Sequence, residues 1–262
     1  MKLETKDLLT GDEISSKEFL ELIDFSIKLK EENKTVKGKQ LLENKTLAML
    51  FEKPSTRTRV SFETGMKQLG GHTIILSLNE MQHSRGESVE DTAKTLSGYV
   101  DGIVARVYEH SFIEDLAKYA TVPVINGLSN SYHPCQTLAD FMTIKEHKKK
   151  FKDLKIAWIG DGNNVCNSLI FGCSKTQTDI VIATPKGFEP NPEVVKKASE
   201  NTTIDLTTDP ESAVKDADIV MTDTFTSIHT SDPKRTEKFL PSFQVNESLM
   251  EKAKNDAIFM HC

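Results

Sequence analysis

Cysteine is scarce in this chain, and long apolar runs and an excess of basic charge are absent. The four cysteines, Cys135, Cys166, Cys173 and Cys262, form no Cys-x-x-Cys pair, which suits a reduced, cytoplasmic setting. No apolar run approaches the roughly 20 residues that cross a bilayer. The N-terminus, Met1-Lys2-Leu3-Glu4-Thr5-Lys6-Asp7, is too polar for a signal peptide, so no membrane partner is expected. A formal net charge of -6 gives no long-range attraction for nucleic acid or anionic lipid. Any anion must therefore be held by a local basic pocket.

What is present is an alternation. Hydrophobic content of 37% and charged content of 27% are those of a globular protein, and 262 residues is the size at which one core tends to split into two. Ser15 or Ser16 caps a long amphipathic helix running to about residue 32, with Phe19, Leu22, Ile23 and Ile27 as its inner stripe. Strands are then expected at 46–51, 72–78, 102–108 and 122–126, with helices between them. A helix over 134–148 follows and ends in a lysine run that suits a helix C-terminus. The second half repeats the alternation, with strands at 155–159, 180–183, 203–206, 219–222 and 257–260. Helices are expected there at 164–171, 192–199, 211–215 and 247–254. This pattern predicts an α/β chain of two doubly wound parallel-sheet domains joined by a linking helix, residues 1–147 and 148–262. In such sheets ligands bind outside the carboxyl ends of the strands.

One stretch organises the first half: Phe51-Glu52-Lys53-Pro54-Ser55-Thr56-Arg57-Thr58-Arg59-Val60-Ser61-Phe62-Glu63. A buried strand ends at a proline, Ser55 or Thr56 caps a helix, and Gly70-Gly71 closes it. The free N–H groups of the first turn, two or three hydroxyls and one or two guanidinium groups then converge on one point, as a phosphate-like dianion requires. An ordinary capped helix with solvated arginines fits the same pattern. Arg106 lies in an otherwise buried strand and needs a partner, either an acid such as Glu109 or Asp101 or a ligand in the cleft. His133-Pro134-Cys135-Gln136 opens the helix at 134–148, and His133 and Gln136, three apart, project from one side of its start. On the residues alone, a capping histidine is the plainer reading there.

These residues also carry a resemblance. Ser55-Thr56-Arg57-Thr58-Arg59 before Phe62-Glu63 resembles the carbamoyl-phosphate motif of the aspartate/ornithine carbamoyltransferases. His133-Pro134-Cys135-Gln136 resembles that family's His-Pro-x-Gln motif, and Arg106 in Arg106-Val107-Tyr108 its Arg-x-Tyr signature. The resemblance implies that Ser55, Thr56, Arg57 and Thr58 hold the phosphate, and that Arg106, His133 and Gln136 face the carbamoyl oxygen. It implies further that Gln82, in the polar loop at 79–87, reaches into a neighbouring subunit's site, so that the assembly is a homotrimer or a multiple of trimers.

Later motifs narrow the resemblance to the ornithine branch. Gly160-Asp161-Gly162-Asn163-Asn164 lacks the third glycine of a dinucleotide fingerprint, since Val165 stands there, so a nicotinamide role is rejected. The family places Asn164 against the α-carboxylate or α-amino group of ornithine. Asp223 and Ser227 match an Asp-x-x-x-Ser-Met-Gly pattern, whereas Ile228 and His229 replace its methionine and glycine. His261-Cys262 matches the start of the ornithine branch's His-Cys-Leu-Pro, whose cysteine faces the ornithine side chain. The family pattern continues past Cys262, so the resemblance implies a second domain truncated at its C-terminus.

The expected reaction is carbamoyl transfer from carbamoyl phosphate to the δ-amine of L-ornithine, with catalysis by Arg106, His133, Gln136, Asp223 and Cys262 and no metal or organic cofactor. Ser227 and Ile228 join Asn164 on the amino-acid side. The alternatives are another amine, such as putrescine or an acylated ornithine, and an inactive carbamoyl-phosphate-binding protein.

Overall fold

Helix α1 (Ser16–Thr35) begins at a reciprocal cap. The Glu18 amide donates to Ser15 Oγ at 3.2 Å and the Ser15 amide to Glu18 Oε2 at 2.8 Å. The computed structural model describes residues 3–35, 40–225 and 234–262. It divides into two units, Met1–Ile14 with Asp24–Cys135, and Ser15–Ile23 with Gln136–Cys262.

In the first unit the apolar run Thr46–Phe51 is strand β1, buried from Leu47 onward. It pairs in parallel with β2 (His72–Ser77) on one side and β3 (Gly102–Arg106) on the other; β4 (Val124–Leu128) completes the order β2-β1-β3-β4. Helices α2 (Thr56–Gln68), α3 (Val89–Ser97) and α4 (His110–Tyr119) form the crossovers. Alternate residues of β1 serve opposite faces, as a pleated strand dictates. Ala48 and Leu50 pack with Ile103, Ile113 and Leu116, whereas Leu47, Met49 and Phe51 pack with Met66 and Val104. Each fully buried aliphatic side chain of this kind contributes about 1.5–3 kcal/mol.

Helix α5 (Pro134–Lys148) carries the chain onward. In the second unit β5 (Lys155–Ile159), β6 (Asp179–Ala183), β7 (Ile204–Thr207), β8 (Ile219–Thr222) and β9 (Ile258–His261) are all parallel, in the order β7-β6-β5-β8-β9. Helices α6 (Asn164–Thr176), α7 (Pro192–Ala198), α8 (Pro210–Val214) and α9 (Glu247–Met250) connect them. The two doubly wound parallel sheets expected from the alternation are therefore present.

Two boundaries differ from expectation for physical reasons. Helix α6 runs past Gly172 to Thr176, because that glycine is a packing site and not a stop. A Cβ there would lie 2.3 Å from Phe141 Cε2 and 2.6 Å from Thr137 Cγ2 of α5. Strand β4, expected over 122–126, starts after Pro123 and runs on past Asn126 to Leu128. Asn126 is fully buried within it, its Nδ2 donating to the Leu9 carbonyl at 2.7 Å.

Candidate active site

Both sheets have a switch point, where the chain leaves one side of the first strand and resumes on the other. In the first unit it lies between β1 and β3, and in the second between β5 and β8. Of the sequence-predicted residues, Ser55, Thr56, Arg57 and Thr58 follow β1, Arg106 ends β3, Asn164 follows β5 and Asp223 follows β8.

In the first unit Ser55 is the N-cap of α2, yet its side chain makes no capping bond, which leaves the first-turn N–H groups open. Thr58, one turn in, accepts a hydrogen bond from Arg106 Nη1 at 2.7 Å. Arg106 thus has neither acid partner proposed for it: Asp101 pairs with Lys45 at 2.7 Å, and Arg106 is bonded to a neutral hydroxyl. Burial and then the positive charge of Arg57 depress the Arg106 pKa. Arg57 itself is exposed, and Arg59 turns aside to Glu63 at 3.3 Å. Two guanidinium groups close enough to repel, beside open helix N–H groups and the Thr56 and Thr58 hydroxyls, offer the donors and positive charge that a dianion needs.

His133 leads into α5, and burial followed by repulsion from Arg106 lowers its pKa to about 3. It is a neutral imidazole at physiological pH, able to donate one hydrogen bond. Gln136 gives Nε2 to Asp140 Oδ1 at 2.9 Å. Cys135 turns its thiol to the Asn126 carbonyl at 3.4 Å, and burial pushes it up to about 12, consistent with a core role. Gln82 is exposed, on a short 3-10 helix, Gln82–Arg85.

In the second unit Trp158 is fully buried and donates Nε1 to the Asp161 carbonyl at 2.9 Å, pinning the turn after β5. Gly162 is required by close backbone approach: a Cβ would sit 2.2 Å from the Pro190 nitrogen. This is the physical use of the glycines that imitate a dinucleotide motif. Asn163 caps α6, accepting from the Val165 and Cys166 amides at 3.0 and 3.1 Å, and donates Nδ2 to Asp223 Oδ2 at 2.7 Å. Asp223 also accepts from Cys262 Sγ at 3.1 Å. Desolvation, and then the Asp223 carboxylate, raise the Cys262 pKa and keep the thiol protonated. Asn164 occupies the first turn of α6 beside them. Ser227 and Ile228 lie outside the described residues.

The sequence reading missed four residues. Asn163, not Asn164, links the α6 cap to Asp223. Asp161 pairs with Arg235, which also donates Nε to the Phe225 carbonyl at 3.1 Å and lies 4.7 Å over the Phe188 ring. Asp140 is buried beneath Gln136. An asparagine just before a helix is a legible cap signal; the Asp161–Arg235 pair spans 74 positions and has no local signal.

Among the described residues Asp223, His261 and Cys262 form a group that could hold a metal ion, their donor atoms within 4.8 Å of one another. The raised thiol pKa works against the thiolate that such a site needs. Also among the described residues, no helix is long and apolar enough to cross a membrane.

Family models of the aspartate/ornithine carbamoyltransferases match almost the whole chain, the carbamoyl-P binding domain over residues 6–146 and the Asp/Orn binding domain over 152–262. Ornithine carbamoyltransferase of Cenarchaeum symbiosum is 58% identical over 262 residues, covering 100% of this chain and 86% of its own. The protein of that name from Methanocaldococcus jannaschii is 50% identical, covering 97% and 85%. The ornithine carbamoyltransferase structure from Pyrococcus furiosus superposes with a TM-score of 0.95 at 48% identity, covering 100% of this chain and 86% of that one. The arrangement at the strand ends and these likenesses agree: the chain belongs to the aspartate/ornithine carbamoyltransferase family.

Proposed function

We propose that this chain transfers the carbamoyl group of carbamoyl phosphate to the δ-amine of L-ornithine, giving L-citrulline and phosphate. The neutral δ-nitrogen attacks the carbamoyl carbon to form a tetrahedral intermediate. The carbon–oxygen bond to phosphorus then breaks, the electron pair leaves with phosphate, and the nitrogen loses its surplus proton to solvent or to the departing dianion. Catalysis of this kind is positioning and electrostatics.

Residues 1–147 are assigned to carbamoyl phosphate and 148–262 to ornithine. Ser55, Thr56, Arg57 and Thr58 grip the phosphate, while Arg106 and His133 donate to the carbamoyl oxygen; Gln136, expected at that oxygen as well, has its Nε2 turned to Asp140 and is assigned instead to the rest of the carbamoyl group. Asn164, Asp223, Ser227 and Ile228 orient the amino acid. Asp223 holds the α-ammonium, and Cys262, kept as a neutral thiol, adds no second anion that would hold the δ-amine protonated. Gln82, exposed on its turn, serves a neighbouring subunit in a homotrimer or a multiple of one. A cytoplasmic place in biosynthesis is in keeping with the unpaired cysteines and with a Pyrococcus furiosus relative named as anabolic, 48% identical over 268 residues.

The observation that carries the reading is the pairing of Arg106 with Thr58 at the start of α2, next to Arg57, with no carboxylate among the described residues bonded to Arg106. The test is citrulline formation by the purified chain, with Arg57→Ala and Arg106→Ala alongside. Turnover that requires both substrates and collapses in both variants is expected. Near-normal carbamoyl phosphate affinity in Arg57→Ala would contradict the assignment.

A further inference from the structure

Asp140 sits one helical turn beyond Gln136 on α5, only 4% exposed. Its Oδ1 accepts from Gln136 Nε2 at 2.9 Å, while Oδ2 is buried with no hydrogen-bond partner among the described residues. The turn that carries it is tightly packed against α6, where a Cβ at Gly172 would meet Phe141 at 2.3 Å and Thr137 at 2.6 Å. A carboxylate has no proton to give. Whatever faces Oδ1 must therefore be the nitrogen end of the Gln136 amide, and the oxygen end must face away.

We propose that Asp140 is a positioning residue that locks the Gln136 amide with its oxygen outward, so that the site selects a carbamoyl group, which carries N–H, over an acyl group, which does not. This rests on the carbamoyl transfer reading and deepens it. An acceptor fixed in place discriminates strongly, because a ligand without the matching donor leaves it unpaired. A freely rotating amide could turn either end to the ligand and would discriminate little. Burial, and secondarily the Asp223 charge, raise the Asp140 pKa to about 7 even though the bond from Gln136 opposes this. Protonation on the unpartnered Oδ2 leaves Oδ1 an acceptor, so the amide keeps its orientation in both states.

The test compares carbamoyl phosphate with acetyl phosphate, in which a methyl replaces the amino group, and uses inorganic phosphate as the control for the anion grip. Affinities are measured calorimetrically on the whole chain as wild type, Asp140→Leu and Asp140→Asn. In Asp140→Leu the preference for carbamoyl over acetyl phosphate is expected to narrow on the order of tenfold, with phosphate affinity within about twofold of wild type. Asp140→Asn keeps an acceptor oxygen and should retain most of the preference. Gln136→Met should narrow it as much as Asp140→Leu does, and the double variant no further. An unchanged preference in Asp140→Leu, or a fall in all three affinities together, would overturn the proposal. If Asp140→Leu does not fold, a preference lost in Asp140→Asn or kept in Gln136→Met would overturn it as well. A wild-type chain that binds neither phosphate nor carbamoyl phosphate refutes the underlying reading instead.

Discussion

Arg106 Nη1 reaches Thr58 Oγ1 across 2.7 Å, tying the carboxyl end of β3 to the first turn of α2. Because Thr58 accepts from the guanidinium, its own hydroxyl hydrogen is left to donate to a ligand. The bond orients a cation and primes a donor at the sheet's switch point.

Removing that cation should be costly. Arg106→Ala is expected to weaken carbamoyl phosphate binding by about 2–5 kcal/mol, the usual cost of truncating a buried charged partner. Thr58→Val should cost about 1 kcal/mol. In the double variant the two losses should fall short of their sum, which calorimetric titration would reveal; full additivity would mean that the two side chains act apart.

Asn163 serves both the α6 cap and Asp223. Asn163→Ala should destabilise the fold by about 1 kcal/mol through the lost cap and raise the KM for ornithine, with the KM for carbamoyl phosphate unchanged. Equal rises in both constants would place Asn163 outside the amino-acid site.

His133 is held neutral, with a folded pKa near 3 against an ordinary 6.5. Over that interval the unfolded chain binds the proton and the folded chain does not, so the contribution to stability is full above pH 6.5 and is lost as pH falls from there towards 3. His133→Gln should flatten the dependence of urea midpoint on pH in this window. A slope identical to wild type would show that other groups set it.

Gly162→Ala forces a methyl against the chain at Pro190. A destabilisation of about 1–3 kcal/mol is expected from such overpacking, read as a lowered Tm. An unshifted Tm would mean that the turn yields freely.

Arg235 balances Asp161, whose pKa burial raises and whose nearest relief is that guanidinium. Arg235→Met should destabilise by about 1–3 kcal/mol, between the values for exposed and buried pairs. Adding Asp161→Asn should recover part of the loss. A double variant no more stable than the single would show that the contact with the Phe188 ring matters more than the charge.

Local pattern alone determined the alternation of strands and helices. It gave β1 at Thr46–Phe51, the cap at Ser15, and the places of Arg57, Arg106, His133 and Asp223, because hydrophobic period, capping residues and strand ends are all written within a few neighbours. It ended one helix at Phe171 and one strand at Asn126, short of where each runs, because the next stretch is answered by partners distant in the chain: Gly172 packs on Phe141, and the buried Asn126 reaches Leu9. Only the tertiary structure decided that Thr58 and not an acid meets Arg106, that Asn163 and Cys262 meet at Asp223, and that Asp140 lies beneath Gln136. The reason is physical. A buried polar group must find a partner, and which one it finds depends on the register and order of parallel strands, which bring together residues such as Asp161 and Arg235 that are 74 positions apart.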